Sequence, residues 1–187
     1  MKPLFIHIPK TAGISIKRYL FETYNTPIFE GHFTCQQMKA KASFIAYEYD
    51  HIFTLVRNPY ARLVSTYLFL KEKMKEYTHT CIYDCSDLTI PFKETSFKEF
   101  VYFFIKEENL NFQYMNTYMF LPQSTWLDTK DDVKICKMEE INKLNFKINH
   151  FNKAEKEYDW KSFYTPNLKK IVYTYYKNDF KKFDYER

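Results

Sequence analysis

Short runs of mostly apolar residues recur along the chain, and segments with apolar residues at helical spacing lie between them. The runs at 4–8 (LFIHI) and 51–56 (HIFTLV) are typical of parallel strands that are covered on both faces. A shorter run at 133–136 (VKIC) predicts a third strand. Strands that alternate with helices predict an α/β layered fold, in which helices flank a mostly parallel central sheet.

Helix signals follow the first two strands and recur in the second half of the chain. Pro59 suits the first position of the helix after the second strand, and Thr165-Pro166 opens the last helix. Ser96 is placed to cap a further helix, and 139–147 is also predicted to be helical. The apolar residues expected to face inward are Ile16, Tyr19, Leu20, Tyr24, Leu63, Val64, Tyr67, Leu68, Phe97, Phe100, Val101, Phe104, Leu168, Ile171, Val172 and Tyr175.

The length and composition suit a single core. With 187 residues, of which 45% are hydrophobic, we expect one domain over 1–187. The polar stretch 77–95 is expected to form a surface loop near a substrate. No segment approaches the ~18 apolar residues of a membrane span, and the N-terminus lacks the apolar centre of a secretory signal. These features predict a cytoplasmic protein without a membrane partner.

Charge and cysteine content narrow the function classes. The formal net charge of +5 permits an anionic ligand, but the lysines are scattered among acidic residues. Because nucleic-acid readers more often carry a concentrated basic stripe, we expect no nucleic-acid partner. The four cysteines, Cys35, Cys81, Cys85 and Cys136, lack a zinc-site spacing and are interpreted as free intracellular thiols. A metal site or disulfide at Cys81 and Cys85, with His79 nearby, is the alternative.

The stretch HIPKTAGIS (7–15) follows the first strand and contains one of only two glycines. A turn from a strand into a helix directs several backbone N–H groups at one point, where the helix dipole favours an anion. Lys10 supplies a mobile positive charge, and Gly13 lets the backbone close around the anion. Thr11 and Ser15 add hydroxyl donors. The pattern indicates a phosphate-binding loop, although a plain turn with an exposed lysine would look the same.

The stretch VRNPYARLVSTY (56–67) indicates a second anion site. Arg57 ends the second strand, and Ser65 follows in the predicted helix. If Tyr60 opens that helix, Ser65 lies roughly 7–8 Å along its axis, at ~1.5 Å per residue. The arginine fork and the serine hydroxyl would then reach one phosphate. Two anion sites at the carboxyl ends of neighbouring parallel strands suit a ligand with two phosphate groups.

Together, PKTAGIS (9–15) and VRNPYARLVSTY resemble the sulfotransferases that use 3′-phosphoadenosine 5′-phosphosulfate (PAPS). The resemblance is strongest to the carbohydrate branch, which includes heparan sulfate 2-O-sulfotransferase. It implies a P-loop-like three-layer fold and PAPS as the sulfuryl donor. It also implies that Arg57 and Ser65 hold the 3′-phosphate. The implied contacts to the 5′-phosphosulfate come from Lys10, Thr11, Ala12, Gly13, Ile14 and Ser15.

Further stretches extend the resemblance over nearly the whole chain. EGHFT (30–34) is similar to the family segment that carries the candidate base, and 164–185 is similar to its closing helix. FLPQSTWL (120–127) resembles a Pro-Gln motif of the branch, and ICKMEEI (135–141) resembles its strand-plus-Glu segment. The chain is therefore expected to be a minimal catalytic domain.

Individual positions agree with the family pattern to different degrees. Ile14 replaces the usual threonine, and Glu30 stands where the 2-O-sulfotransferase has another histidine. His32 is the candidate base, although a lone histidine is more often structural. His7, inside the predicted strand, is interpreted as a core residue. Lys153 resembles a residue of a family loop that closes on the cofactor.

The resemblance implies in-line transfer of a sulfuryl group from PAPS to a hydroxyl, which resembles phosphoryl transfer in its dependence on positioning and charge stabilisation. Lys10 would stabilise the charge on the leaving bisphosphate, and His32 would take the acceptor proton. No metal is required in this scheme. The branch favours a glycan acceptor, and a glycolipid, a small hydroxyl compound and a protein tyrosine are the alternatives. The sequence contains no sign of an oligomeric state.

Two other functions remain open from the sequence. A small P-loop-like nucleotide kinase would place its lysine after the second glycine of G-x-x-x-x-G-K-[ST], and this loop does not. A non-catalytic module that binds nucleotides or RNA would use scattered lysines and stacked aromatic residues. The presence of a candidate base in the EGHFT stretch argues against the second of these.

Overall fold

The computed structural model describes residues 2–76, 95–106, 117–127, 130, 132–144 and 158–187. The chain divides into two compact units. The first unit comprises Met1–Asn58 and Gln123–Glu157, and the second comprises Pro59–Pro122 and Tyr158–Arg187. The expectation of a single domain over 1–187 stays a prediction. In the part of the chain that the structure describes, no helix has the length and apolar character needed to cross a membrane.

The first unit is built on a fully parallel sheet in the order β1-β2-β3, with β1 at Pro3–Ile6, β2 at His51–Val56 and β3 at Val133–Lys137. The predicted strands at 51–56 and 133–136 are therefore confirmed, the latter with one more residue. The predicted strand at 4–8 is too long, because its ladder with β2 ends at Ile6. The Thr54 hydroxyl donates a hydrogen bond to the Ile6 carbonyl there (2.8 Å), and the chain then turns into the loop.

Two helices complete the described part of the first unit: α1 at Gly13–Tyr24 and α2 at Cys35–Phe44. Helix α1 packs its buried Ile16 and Leu20 against one face of the sheet, where Phe5 pairs with Phe53. Tyr24, expected to face inward, is exposed. Short 3₁₀ turns follow at Gln123–Trp126 and Met138–Leu144. The helix predicted at 139–147 is thus a 3₁₀ segment to Leu144, and its last residues lie outside the described ones.

Helix α2 was not predicted, although its start carries a recognisable signal. The Thr34 hydroxyl accepts a hydrogen bond from the Gln37 N–H, and the Gln37 side chain accepts one from the Thr34 N–H. This is a capping box, which satisfies two backbone donors at once. The buried residues Cys35, Met38 and Ala42 are small or flexible, so the helical pattern of the segment is weak.

The second unit is helical in the part described. It contains α3 (Pro59–Glu76), α4 (Phe97–Val101), α5 (Pro166–Tyr175) and α6 (Lys177–Lys182). A π-helical turn continues α4 over Tyr102–Lys106, and 3₁₀ turns form at Thr117–Met119 and Trp160–Phe163. The predicted starts at Pro59, Ser96 and Thr165-Pro166 are confirmed. The predicted last helix is split in two at Tyr176, whose N–H closes α5 onto Val172.

Aromatic rings dominate the core of the second unit. Tyr67 contacts Phe97 and Phe100, with ring centroids 5.4 and 5.2 Å apart, and Phe104 stacks on Phe120 at 5.0 Å. All of the apolar residues predicted to face inward from α3 to α5 are buried or half-buried.

The described cysteines, Cys35 and Cys136, are buried free thiols. Burial raises the pKa of the Cys136 thiol, so that it resists ionisation. The alternative site at His79, Cys81 and Cys85 lies outside the described residues.

Candidate active site

The loop from β1 to α1 presents an uncapped helix start. Ala12 precedes α1 with φ 61°, its side chain makes no capping hydrogen bond, and the first turn contains no acidic residue. Lys10 also lies in the left-handed region, at φ 67°, and its side chain is half-buried. Because the first N–H groups of a helix lack partners within it, this geometry favours an anion at the start of α1.

Gly13 is required here by a close approach. A Cβ atom at Gly13 would lie 1.7 Å from Cδ2 of His7 and 2.0 Å from its Nε2. The φ angle of Gly13 is not positive, so the backbone conformation itself does not demand glycine. The sequence suggested that Gly13 lets the backbone close around an anion, whereas the structure shows that it makes room for the imidazole of His7.

The hydroxyls of the loop are oriented into the protein. Thr11 is fully buried and donates its hydroxyl hydrogen to the Ile8 carbonyl (2.8 Å), which braces the turn. Ser15 is 3% exposed in the first turn of α1, and Ile14 beside it is 54% exposed. In this conformation the Thr11 hydroxyl has no second hydrogen to donate, so its contribution to an anion site would come from the backbone.

His7 is buried one residue after β1, which agrees with its interpretation as a core residue. Its environment is unusual for a core, because its ring lies 4.1 Å from the ring of His32. Burial, together with the charges of His32, Lys17 and Lys10, lowers the pKa of His7 to about 2. Its Nδ1 is buried without a hydrogen bond. His7 is therefore a neutral imidazole at every physiological pH.

His32, the candidate base, is held by the backbone of His7. Its Nδ1 lies 3.1 Å from the His7 carbonyl oxygen. Because a carbonyl oxygen only accepts hydrogen bonds, this contact favours the tautomer with hydrogen on Nδ1 and the lone pair on Nε2. The ring also meets the edge of Trp126, with centroids 6.1 Å apart. A neutral imidazole with its lone pair on Nε2 has the protonation state that a general base needs.

Lys17 on α1 fixes the turn that precedes His32. Its ammonium donates to the carbonyls of Phe29 (2.8 Å) and Gly31 (3.1 Å). Gly31 has φ 95°, which a side-chain-bearing residue rarely adopts. Burial lowers the pKa of Lys17, and the exposed carboxylate of Glu30 opposes that shift. No local pattern in the sequence points to Lys17, since its partners are backbone carbonyls 12 and 14 residues away along the chain.

Arg57 follows β2 and reaches the same loop. Its Nη1 donates to the Lys10 carbonyl at 3.4 Å. The backbone N–H of Arg57 donates to Oε1 of Gln123 (2.9 Å), and Nε2 of Gln123 donates to the Arg57 carbonyl (2.8 Å). The N–H of Asn58 donates to Oε1 of Glu139 (2.8 Å). The Pro-Gln and strand-plus-Glu segments thus both hold the chain at the end of β2.

Two of the expected cofactor-binding residues, Ser65 and Lys153, stay predictions. Ser65 is half-buried in α3 and belongs to the second unit, so its pairing with Arg57 stays a prediction. Lys153 lies outside the described residues. Among the described residues, no group of three or more His, Cys, Asp or Glu side chains is arranged to hold a metal ion.

Arg62, in the same motif as Arg57, is a structural residue that the sequence analysis did not select. It is 2% exposed, and its Nη1 and Nη2 donate to the carbonyls of Leu121 (2.9 Å) and Met119 (3.0 Å). The Tyr176 hydroxyl donates to the Phe120 carbonyl between them (2.8 Å). These contacts join parts of the second unit that are far apart in the sequence, so no local pattern reveals them.

A parallel sheet whose first strand runs through a tight loop into an uncapped helix is the arrangement of P-loop-like α/β proteins. The chain also matches the family model described as "Sulfotransferase family" over residues 2–151. The chain therefore belongs to the sulfotransferase family, and the expected fold class is confirmed. No curated protein and no solved structure matches the chain. Membership supports sulfuryl transfer as the general activity, while the resemblance to the carbohydrate branch stays a prediction.

Proposed function

We propose that the protein transfers a sulfuryl group from PAPS to a hydroxyl of a carbohydrate acceptor. One observation supports this proposal above the others. The backbone of the loop between β1 and α1 accepts a hydrogen bond from Arg57, at Lys10, and from His32, at His7. A cation for a phosphate and a base for an acceptor are thus both held by the loop that opens α1.

The residues present fit a doubly anionic nucleotide. The start of α1 has no competing carboxylate in its first turn, and Lys10 and Arg57 supply positive charge. PAPS, when bound, supplies the sulfuryl group and leaves as the 3′,5′-bisphosphate. In this proposal the N–H groups of residues 13–15 and the Lys10 ammonium hold the 5′ side, and Arg57 with Ser65 holds the 3′-phosphate.

The tautomer of His32 and the charge of Lys10 suggest the role of each residue. His32 accepts the acceptor proton at Nε2, while its Nδ1–H stays on the His7 carbonyl. The Lys10 ammonium stabilises the negative charge that grows on the leaving oxygen. His7, whose ring lies 4.1 Å from that of His32, stays neutral and therefore adds no positive charge beside the base. Fixed cations take the electrostatic role, and the scheme uses no metal.

The proposal is tested first by ligand binding. Adenosine 3′,5′-bisphosphate at a hundredfold excess over its Kd should stabilise the protein by ~2.7 kcal/mol in thermal unfolding. Stabilisation by ATP with Mg²⁺ that far exceeds this would favour a nucleotide kinase and contradict the proposal.

Turnover is tested by transfer of label from PAPS to a panel of glycans and small hydroxyl compounds. We expect transfer to a glycan hydroxyl, with Lys10→Ala as the matched control that binds the bisphosphate but does not turn over. Bisphosphate binding without transfer to any acceptor would indicate a non-catalytic nucleotide-binding module. The cytoplasmic location, the absence of nucleic-acid and membrane partners, and the role of Lys153 stay predictions.

A further inference from the structure

Gln123 extends the sheet by one residue beyond the end of β2. The ladder between β2 and β3 ends where Val56 meets Lys137. At the next residue, the Gln123 amide accepts from the Arg57 N–H (2.9 Å) and donates to the Arg57 carbonyl (2.8 Å). Gln123 is fully buried, so water does not compete for either bond. A side-chain amide thus makes the pair of bonds that a neighbouring strand would otherwise make.

A second side chain holds the following residue. The N–H of Asn58 donates to the carboxylate of Glu139, which follows β3 (2.8 Å). Both backbone N–H groups after β2 are therefore occupied by side chains of the protein. At this strand end, unlike at the start of α1, an arriving anion would be met by the arginine side chain and not by the main chain.

The tip of Arg57 is aligned as well, because Nη1 donates to the Lys10 carbonyl at 3.4 Å. A guanidinium on a long side chain is placed by the direction of its Cα–Cβ bond. Small rotations of the backbone therefore displace the fork, and a misplacement of about 1 Å can cost as much as 10²-fold in a positioned site. The two hydrogen bonds of Gln123 remove this rotation.

We propose that Gln123 is a positioning residue that sets the selectivity for a 3′-phosphorylated nucleotide, and that Glu139 assists it. The inference rests on the proposed function, in which Arg57 meets the 3′-phosphate. It assigns a task to the Pro-Gln and strand-plus-Glu segments. Gln123 touches neither the ligand nor the acceptor in this scheme and acts through the backbone of Arg57.

The test measures selectivity, which a purely structural role would not change. Dissociation constants for adenosine 3′,5′-bisphosphate and for AMP are measured by calorimetry, and their ratio reports recognition of the 3′-phosphate. In Gln123→Met, which keeps the length of the side chain and removes both hydrogen bonds, we expect the ratio to fall about tenfold. Affinity for AMP should stay within about twofold. Gln36→Met, an exposed position on α2, is the matched control and should keep the wild-type ratio.

Further variants cover the case in which Gln123→Met does not fold. Gln123→Glu retains the acceptor for the Arg57 N–H and loses the donor to its carbonyl, so the ratio should again fall. Glu139→Ala removes the acceptor of the Asn58 N–H and should lower the ratio about threefold, whereas Glu139→Gln, which keeps an acceptor, should retain it.

The outcomes separate the inference from the proposed function. A wild-type protein that binds the bisphosphate no more tightly than AMP would contradict the proposed function itself. A selective wild type, with unchanged ratios in the folded Gln123 variants, would overturn the inference alone. If neither Gln123 variant folds, an unchanged ratio in Glu139→Ala would also overturn it.

Discussion

The first unit buries polar side chains around a loop, whereas the second unit buries aromatic rings around each other. Among the described residues of the first unit, His7, Thr11, Ser15 and Gln123 lie at or beside the β1–α1 loop and the end of β2, each at most 8% exposed. In the second unit, the buried Tyr60, Tyr67, Phe100 and Phe180 belong to one hydrophobic cluster. The hydroxyls of the two tyrosines donate to backbone carbonyls, Tyr60 to that of Lys169 (3.4 Å) and Tyr67 to that of Thr95 (2.8 Å).

Two arginines of one motif show what this difference means. Arg57, in the first unit, is half-buried and has its backbone fixed by another side chain, so its fork serves a ligand in our proposal. Arg62, in the second unit, is buried, and its guanidinium donates hydrogen bonds to two backbone carbonyls. Residue type and motif position therefore do not assign a role to an arginine; its burial and the partners of its guanidinium do. Loss of the Arg57 side chain should therefore affect selectivity, and loss of the Arg62 side chain should affect stability.

The largest expected effect is on the rate, at His32. His32→Ala should cut sulfuryl transfer by ~10²–10⁴-fold and leave bisphosphate affinity within about twofold, because a positioned base contacts the acceptor and not the nucleotide. Steady-state kinetics measure the rate, and calorimetry measures the affinity.

The matched variant for His32 is Glu30→Gln, at the exposed rival base in the same turn. It should retain transfer. Loss of transfer in Glu30→Gln together with retention in His32→Ala would show that the base is assigned to the wrong residue.

The next largest effect is on stability, at Arg62. Arg62→Met leaves the carbonyls of Leu121 and Met119 without their donors and should lower the free energy of unfolding by about 3 kcal/mol. Arg57→Ala, which keeps its backbone bonds to Gln123, should lower it by less than about 1 kcal/mol and abolish selectivity for the 3′-phosphate. Urea denaturation of both variants decides the matter. Equal losses of stability would remove the distinction between the two arginines.

His7 should make the stability of the protein depend on pH. Its folded-state pKa is lowered to about 2, whereas the unfolded chain titrates near 6.5. Below pH 6.5 the unfolded state therefore binds one more proton, and stability is lost as the pH falls toward 2. Between pH 7.5 and pH 5 the loss from this residue should be about 2 kcal/mol.

The measurement for His7 is urea denaturation of the wild type and of His7→Phe at both pH values. Whatever its stability at either pH, the variant should lack this part of the pH dependence. The same loss on acidification in both proteins would mean that His7 is not held neutral by its surroundings.

The smallest effect tests the second unit at a helix start. The Ser96 hydroxyl accepts from the Glu99 N–H (3.3 Å), and the Glu99 carboxylate accepts from the Ser96 N–H (2.8 Å). Ser96→Ala should lower the melting temperature by about 2–4 °C and leave transfer unchanged. Scanning calorimetry measures the shift, and Ser96→Asn, which can still cap, should restore most of it. A change in the rate of transfer would contradict a purely structural role of this cap.

Local signals gave the parts of the fold that depend on neighbouring residues. The apolar run at 51–56, Pro59 at the start of α3 and Ser96 at the start of α4 all act within a few positions of themselves, and each prediction is confirmed. Helix α2 was not predicted because it buries only three residues, which form a weak helical pattern, although Thr34 and Gln37 form a capping box at its start.

The sequence pointed to individual residues of the candidate site but not to the contacts between them. The sequence selected Lys10, His32 and Arg57, and the structure brings all three to the backbone of one loop. The sequence alone could not show that Gln123 holds Arg57, because the two residues are 66 positions apart in the chain. Nor could it show that Gly13 serves the ring of His7, since close approach depends on the path of the backbone and leaves no pattern in a single sequence.

The close contact between His7 and Gly13 makes the residues allowed at one position depend on the residue at the other. A methyl group at position 13 would overlap the ring at position 7, so neither residue can be exchanged as if the other were absent. In a library that randomises both positions, alanine at 13 should be recovered only with a small residue at 7. In such a pair, the methyl group of the alanine would occupy the space that the imidazole of His7 fills in this structure. A substitution that adds a side chain at Gly13 therefore requires that the ring of His7, which lies beside His32, is first replaced by a smaller side chain.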